Sequence, residues 1–141
     1  MSQENVEIVH RAYEAFSRAG LDALLEHFHP DAEYDITAAI GPYAGMYYGR
    51  AVIRNFLADY LESWEYVRME PEDFIEAGED YVVVLLRLHM RGKGSGVEVE
   101  AQTINVWTVR DGKAVRMAVY NDKAEALEAV GLSEQDAHAD S

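Results

Sequence analysis

Periodicity changes character near the middle of this chain, and that change limits the fold more than any other feature. Up to about residue 64 the apolar residues recur at helical spacing. Val6, Val9, Tyr13 and Phe16 form one stripe, with Ala12 and Ala15 beside it. Leu21, Leu24, Leu25 and Phe28 predict a second, short helix stopped by Pro30, and Gly20 separates the two. Ala32 to Ile36 reads as a short strand. A glycine-marked loop follows, with Gly41, Pro42, Gly45 and Gly49. A third helix then runs from about Arg50 to Trp64, with Val52, Ile53, Phe56, Leu57, Tyr60, Leu61 and Trp64 on one side.

Beyond residue 64 the pattern becomes that of strands. Tyr66 to Ala77 is interrupted by Pro71, which predicts an edge or bulged strand. Tyr81 to Arg91 is the strongest strand signal, and Gly92, Gly94 and Gly96 mark the next turn. Val97 to Arg110 and Lys113 to Tyr120 form a hairpin about Asp111-Gly112. Asp122 starts a last short helix, with Glu125 at capping-box spacing, that ends at Gly131. Three helices followed by an antiparallel meander predict an α+β fold with the helices on one sheet face. The order is α-α-β-α-β-β-β-β-α, in one domain over residues 1–132 with a polar tail over 133–141.

Composition removes several classes of function. The 141 residues include 12 Lys+Arg against 26 Asp+Glu, a net charge of −14. So acidic a chain is poorly suited to nucleic acid or an anionic membrane surface. It has no cysteine, which excludes disulfides, thiolate chemistry and Cys-based zinc sites. Its five histidines (His10, His27, His29, His89 and His138) fall in no metal-ligand motif. No apolar run approaches the roughly 18 residues of a membrane span. Met1 to Asn5 is polar and acidic, unlike a secretory leader, so the expectation is a cytoplasmic protein with neither metal nor cofactor.

The residue of most functional interest is Asn105. Thr103, Trp107 and Val109 share its strand face, and a buried amide without a partner costs about 1–3 kcal/mol. Either protein atoms satisfy it or it lines a cavity. A two-residue turn at Asp111-Gly112 would set Trp107 opposite Arg116. A three-residue loop with a bulged Gly112 sets Trp107 opposite Val115, Asn105 opposite Met117 and Thr103 opposite Val119. The second register separates apolar from polar residues better and is the one expected. It surrounds Asn105 with Trp107, Met117, Val115 and Val119.

From Met1 to about Leu132 the chain resembles the SnoaL-like domains of the nuclear transport factor 2-like superfamily, which include polyketide cyclases and ketosteroid isomerases. The matching pieces are Tyr13-Glu14-Ala15-Phe16, Leu21 to Leu25, His29 to Tyr34, Tyr48 to Val52, Arg110 to Lys113 and Tyr120-Asn121-Asp122. The resemblance implies a cone-shaped α+β barrel, with a curved antiparallel sheet wrapped around the helices. It also implies an apolar pocket at the mouth and a homodimer through the outer sheet face. Tyr13 matches the first-helix tyrosine that donates to a substrate oxyanion, and Asn105 matches a second donor. The resemblance implies Asp35 as the catalytic base, one residue from the position where Ile36 aligns. The Asp-Arg-Asp set of epoxide-hydrolase members has no counterpart around Arg87.

These matches imply an isomerase, cyclase or lyase acting on a small apolar carbonyl compound without cofactor. Phe16, Tyr34, Phe56, Tyr60, Trp64, Leu86, Leu88, Trp107, Met117 and Val119 would line the pocket, with Asn121 at its rim. Val82, Val84 and Met90 share the pocket face of their strand, and Tyr43, Tyr47 and Tyr48 are candidate lid residues. A binding module without catalysis and a purely structural dimerising domain are the alternatives. The side on which Asp35 lies discriminates between the first two.

Overall fold

A computed structural model describes residues 2–38 and 43–132. The tail over 133–141 and the loop residues Gly41 and Pro42 lie outside the described residues. The chain folds as α1 (Ser2–Ala19), α2 (Leu21–Leu25), β1 (Phe28–Asp35), β2 (Met46–Tyr48), α3 (Arg50–Glu62), β3 (Trp64–Ala77), β4 (Tyr81–Gly92), β5 (Glu98–Arg110), β6 (Lys113–Tyr120) and α4 (Lys123–Ala129). Six strands make one curved sheet in the order β2-β1-β6-β5-β4-β3. It is not closed into a barrel: β2 and β3 are its free edges. The expected α+β architecture is present, with the short strand β2 in addition.

Each helix forms where its stripe can be buried. Val9, Ala12, Tyr13 and Ala15 of α1 are buried, and the Gly20 N–H closes the helix on the Phe16 carbonyl at 2.9 Å. Gly20 has φ +90°, a left-handed turn that a residue with a Cβ adopts only at a cost. The second helix is shorter than its leucine spacing suggests. It stops at Leu25 because the chain pairs with β6 from His27 onward: Ala114 N–H donates to the His27 carbonyl, and Phe28 stands opposite Ala114. Pro30 therefore lies inside β1 and does not end a helix. The β1–β6 register is interrupted between Phe28 and Glu33, so a residue without an N–H is tolerated there.

The β1–β6 pair is parallel, so the sheet is mixed where a purely antiparallel one was expected. Pro71 sits as expected, on the edge strand β3 and at a register shift between Pro71 and Asp73.

The β5–β6 hairpin departs from the expected register. Asp111 and Gly112 both take positive φ, 51° and 81°, and form a two-residue turn that pairs Arg110 with Lys113. A bulge follows at once, since Val109 faces Ala114 but Thr108 faces Arg116. The extra residue on β6 restores the alternation. Trp107 consequently stands opposite Met117 and Asn105 opposite Val119, while Val115 leaves the inner face.

Two apolar layers result. The inner one packs α1, α2 and α3 against Phe28, Val82, Val84, Leu86, Trp107 and Val109. The outer one is smaller: Ala126 and Leu127 of α4, both fully buried, cover Ile75, Val83, Ile104, Val106 and Ala118. Asp122 caps α4 by accepting from the Ala124 N–H at 2.7 Å. Among the described residues, no helix is long and apolar enough to cross a membrane.

Candidate functional site

The concave face of the sheet does not pack completely against the helices. A cavity of about 300 Å³ remains, at the lower end of the usual range for small-molecule sites. Tyr13 and Phe16 of α1, Tyr34 of β1, and Phe56 and Tyr60 of α3 line it. Leu86 and Leu88 of β4, Asn105 and Trp107 of β5, and Met117 and Val119 of β6 complete the expected part of the wall.

Tyr13 is the polar centre. It is 4% exposed and lies across the cavity floor from β5. Asn105 Nδ2 donates to its hydroxyl oxygen at 2.8 Å, and so does Trp107 Nε1 at 2.8 Å. Its ring stands edge-on to Trp107, with centroids 5.4 Å apart. Asn105, which had to find a partner or a ligand, has both: a protein partner and a place in the cavity wall. Burial pushes the Tyr13 hydroxyl above the ordinary tyrosine value, against the pull of its two N–H donors. The Tyr34 hydroxyl is raised by burial and by its neighbours Tyr13, Tyr60 and Tyr47, and burial also raises Tyr60. All three phenols stay protonated at neutral pH.

Other polar contacts of the wall are modest. Thr103 Oγ1 donates to the Tyr120 carbonyl at 3.3 Å, and the Tyr60 hydroxyl lies 3.6 Å from Met90 Sδ. Among the described residues lining the cavity there is no carboxylate, imidazole, amine or guanidinium.

Asp35 is not brought to this cavity. Tyr34 and Ile36 point into it, and the alternation of the strand turns Asp35 to the other side. There its carboxylate accepts from Arg116, from the Thr37 hydroxyl at 2.6 Å and from the Thr37 N–H at 3.0 Å. Burial alone would raise its pKa, but the Thr37 and Arg116 donors outweigh it and hold the carboxyl below the ordinary aspartate range. Arg116 also reaches Glu33 at 3.4 Å. A carboxylate so held is a poor base and lies on the wrong face.

Trp64 and Asn121 also stand outside the wall. Trp64 opens β3 opposite Gly92, beyond Val67, and its ring backs that of Tyr60 at 6.5 Å. Asn121 is exposed and donates to the Ala38 carbonyl at 2.9 Å, tying the end of β6 to the segment after β1. Val82 and Val84 are fully packed in the inner core and do not line the cavity.

Of the three loop tyrosines, Tyr43 lines the cavity and packs on Phe56 and Tyr60. Tyr47 stacks on Phe56 at 4.3 Å and donates to the Tyr43 carbonyl at 3.0 Å. Tyr48 is 60% exposed on the outer side. The wall also includes Leu21, Leu24, Ile36, Leu57, Leu61, Val67 and Met69. The last two alternate along β3, and that period was the available signal; Leu57 and Leu61 share the stripe of Phe56 and Tyr60.

A helix-backed curved sheet with a neutral, phenol-rich cavity on its concave side defines this α+β fold. The SnoaL-like domain model matches residues 9–117, and the chain belongs to that family. It is similar to TerC, whose crystal structure was obtained with polyporic acid: 31% identity, covering 90% of this chain and 97% of that one, TM-score 0.74. An NTF2-like protein of unknown function from Burkholderia pseudomallei is 26% identical over 91% of this chain and 98% of that one, TM-score 0.74. SalBIII, an epoxide hydrolase/cyclase-like enzyme in pyran ring formation in polyether salinomycin, shares the fold at 24% identity, covering 86% of this chain and 92% of that one, TM-score 0.71. A search of curated proteins found no match.

Proposed function

We propose that this protein binds a small, neutral, apolar molecule carrying a carbonyl group in its inner cavity, with Tyr13 as the hydrogen-bond donor to the carbonyl oxygen. One observation carries the reading: the cavity's polar groups are all uncharged, and at their centre is a buried phenol already oriented by two N–H groups. A charged ligand would lose its hydration there and gain no counter-charge. The co-crystallisation of the similar TerC with polyporic acid supports a site for an organic ligand in this fold.

Binding is favoured over proton-transfer catalysis because Asp35, the residue named as base, faces Arg116 and not the cavity. A second reading follows from the Tyr13 network. A phenol held by two donors polarises a carbonyl, so a cyclase-like step is open to a substrate that brings its own nucleophile. Tyr13 and Asn105 keep their roles there as oxyanion donor and supporting donor, and the proton of the substrate's own nucleophile passes to the former carbonyl oxygen.

The test is a titration with 9-fluorenone, a flat neutral ketone, followed by quenching of tryptophan fluorescence and by the melting temperature. Saturable quenching and a rise in melting temperature are expected, since a ligand that binds only the folded state stabilises it by mass action. The Asp35→Asn variant is expected to bind as the wild type does. Absence of both signals up to the solubility limit of the ketone would reject the reading. The outer sheet face, where Arg87 and His89 stand among Glu70, Glu72 and Glu100, is the proposed homodimer contact, and sedimentation equilibrium is its test.

A further inference from the structure

A phenol oxygen has two acceptor directions and one proton. In Tyr13 both acceptor directions are filled, by Asn105 Nδ2 and by Trp107 Nε1, each at 2.8 Å. The indole N–H is a donor only and cannot reverse its role. Nor can it swing away: Trp107 is fully buried, with its ring 5.4 Å from that of Tyr13 and 5.3 Å from that of Phe28. The Tyr13 proton must therefore point away from both nitrogens. All three residues border the cavity, so the open side is the cavity side.

We propose that Trp107, together with Asn105, is a positioning residue that makes Tyr13 a one-way donor, so that the cavity takes a ligand offering a lone pair and turns away the alcohol of the same shape. The proposal rests on the reading of the cavity as a site for a neutral apolar ligand, and adds to it a residue and a rule of selection. An ordinary buried tyrosine with a free lone pair rotates its hydroxyl to suit either kind of partner. Here rotation gains nothing, because both lone pairs are already committed.

The consequence for ligands is asymmetric. A ketone oxygen accepts the Tyr13 proton and leaves no group unpaired. An alcohol also accepts it, but its own proton then needs an acceptor. The Tyr13 oxygen is saturated and Trp107 has no acceptor; the hydroxyls of Thr103, Tyr34, Tyr43 and Tyr60 belong to other parts of the wall, and Leu86 and Met117 complete it. Asn105 Oδ1 is the one acceptor atom left in the trio. Sites that leave a buried donor unpaired discriminate more sharply than sites that differ by a methylene. Each N–H also draws density from the phenol oxygen and strengthens its proton as a donor.

The experiment compares 9-fluorenone with 9-fluorenol by calorimetry and records the carbonyl stretch of bound fluorenone by infrared spectroscopy. In the wild type the ketone should bind about tenfold or more tightly, with its carbonyl band shifted below the value in hexane. Trp107 is then replaced by β-(3-benzothienyl)alanine, which keeps the bicyclic shape and lacks the N–H. That change should bring the affinity ratio to within about threefold of unity and move the band part of the way back. Tyr13→Phe should abolish both the preference and the band shift.

An unchanged ratio in the benzothienyl protein would reduce Trp107 to packing and overturn the proposal. Equal binding of ketone and alcohol by the wild type would also overturn it, while leaving the cavity reading intact. A band shift that survives Tyr13→Phe would assign the donor elsewhere and sink it as well. If neither compound binds, the cavity reading fails and the selection rule fails with it.

Discussion

The two faces of one sheet solve the problem of polar groups in opposite ways. Along β1, Tyr34 and Ile36 turn inward and Asp35 outward; along β5 and β6, Asn105, Trp107 and Met117 turn inward, and Arg116 outward. Inward polarity is neutral throughout: phenols, an amide, an indole and a threonine hydroxyl. Outward polarity is charged and is compensated pair by pair. Arg116 meets Asp35 and Glu33, Arg87 meets Glu72 and Glu100, and His89 meets Glu70. Charge needs either water or a partner, and among the described residues lining the cavity none is charged to serve as that partner. The difference teaches that the inner face is kept free of charge even in a chain that is strongly acidic as a whole.

The most disruptive way to break this comparison is to hollow out the inner face. Trp107→Ala removes the largest fully buried side chain and two ring contacts, and should cost about 3–5 kcal/mol in urea unfolding. Transplanting outer chemistry inward should cost nearly as much. Asn105→Asp places a carboxylate at a buried position among neutral groups, and burial should raise its pKa in the folded state. A carboxyl raised in this way carries no penalty below its unfolded pKa and loses stability as pH rises to its folded value. The variant should therefore be close to wild type near pH 4 and weaker by roughly 3 kcal/mol at pH 8, as read from urea midpoints across that range.

The outer face should respond with the opposite slope. Asp35 has its pKa lowered in the folded protein, so its contribution is present above the ordinary aspartate value and is lost as pH falls through the folded one. Asp35→Asn should cost about 1–2 kcal/mol at pH 7, and the gap should close as pH falls through the lowered folded value. Fluorenone affinity should not change. Smallest of all is Arg87→Ala on the outer network, expected to lower the urea midpoint only slightly and to do so less with added salt in the same assay.

Much of this was legible from alternation alone. The period of two through Thr103, Asn105, Trp107 and Val109 placed Asn105 on an apolar face, and the face survived even though the register was misread. The misreading has a physical cause: Asp111 accepts a positive φ, so the turn took two residues, and a bulge at Val115 restored the phase. Asp35 carried its own warning, since it sits between Tyr34 and Ile36 in an apolar–charged–apolar run, which turns a charge outward. Other features had no local signal. The leucines before Phe28 continue a helical spacing, and only the distant strand β6 decides that His27 and Phe28 pair in a sheet. Val67 and Met69 carry the period of two, but Pro71 marks their strand as an edge, and an edge strand is a weak pointer to a cavity wall.

The hydrogen bonds on Tyr13 span 92 and 94 residues of chain, and β1 finds its parallel partner only in β6. Closing loops of that length is entropically costly until the contacts that reward it are made, and topologies dominated by such contacts fold slowly. A chain still being synthesised has Tyr13 early and Asn105 and Trp107 very late. Until then the first helix has no hydrogen-bond partner for its phenol, and β1 has no partner on one side. The cavity and the fold are therefore completed in the same closing step. Fragments that stop before residue 105 should show neither a protected core in hydrogen exchange nor binding of fluorenone.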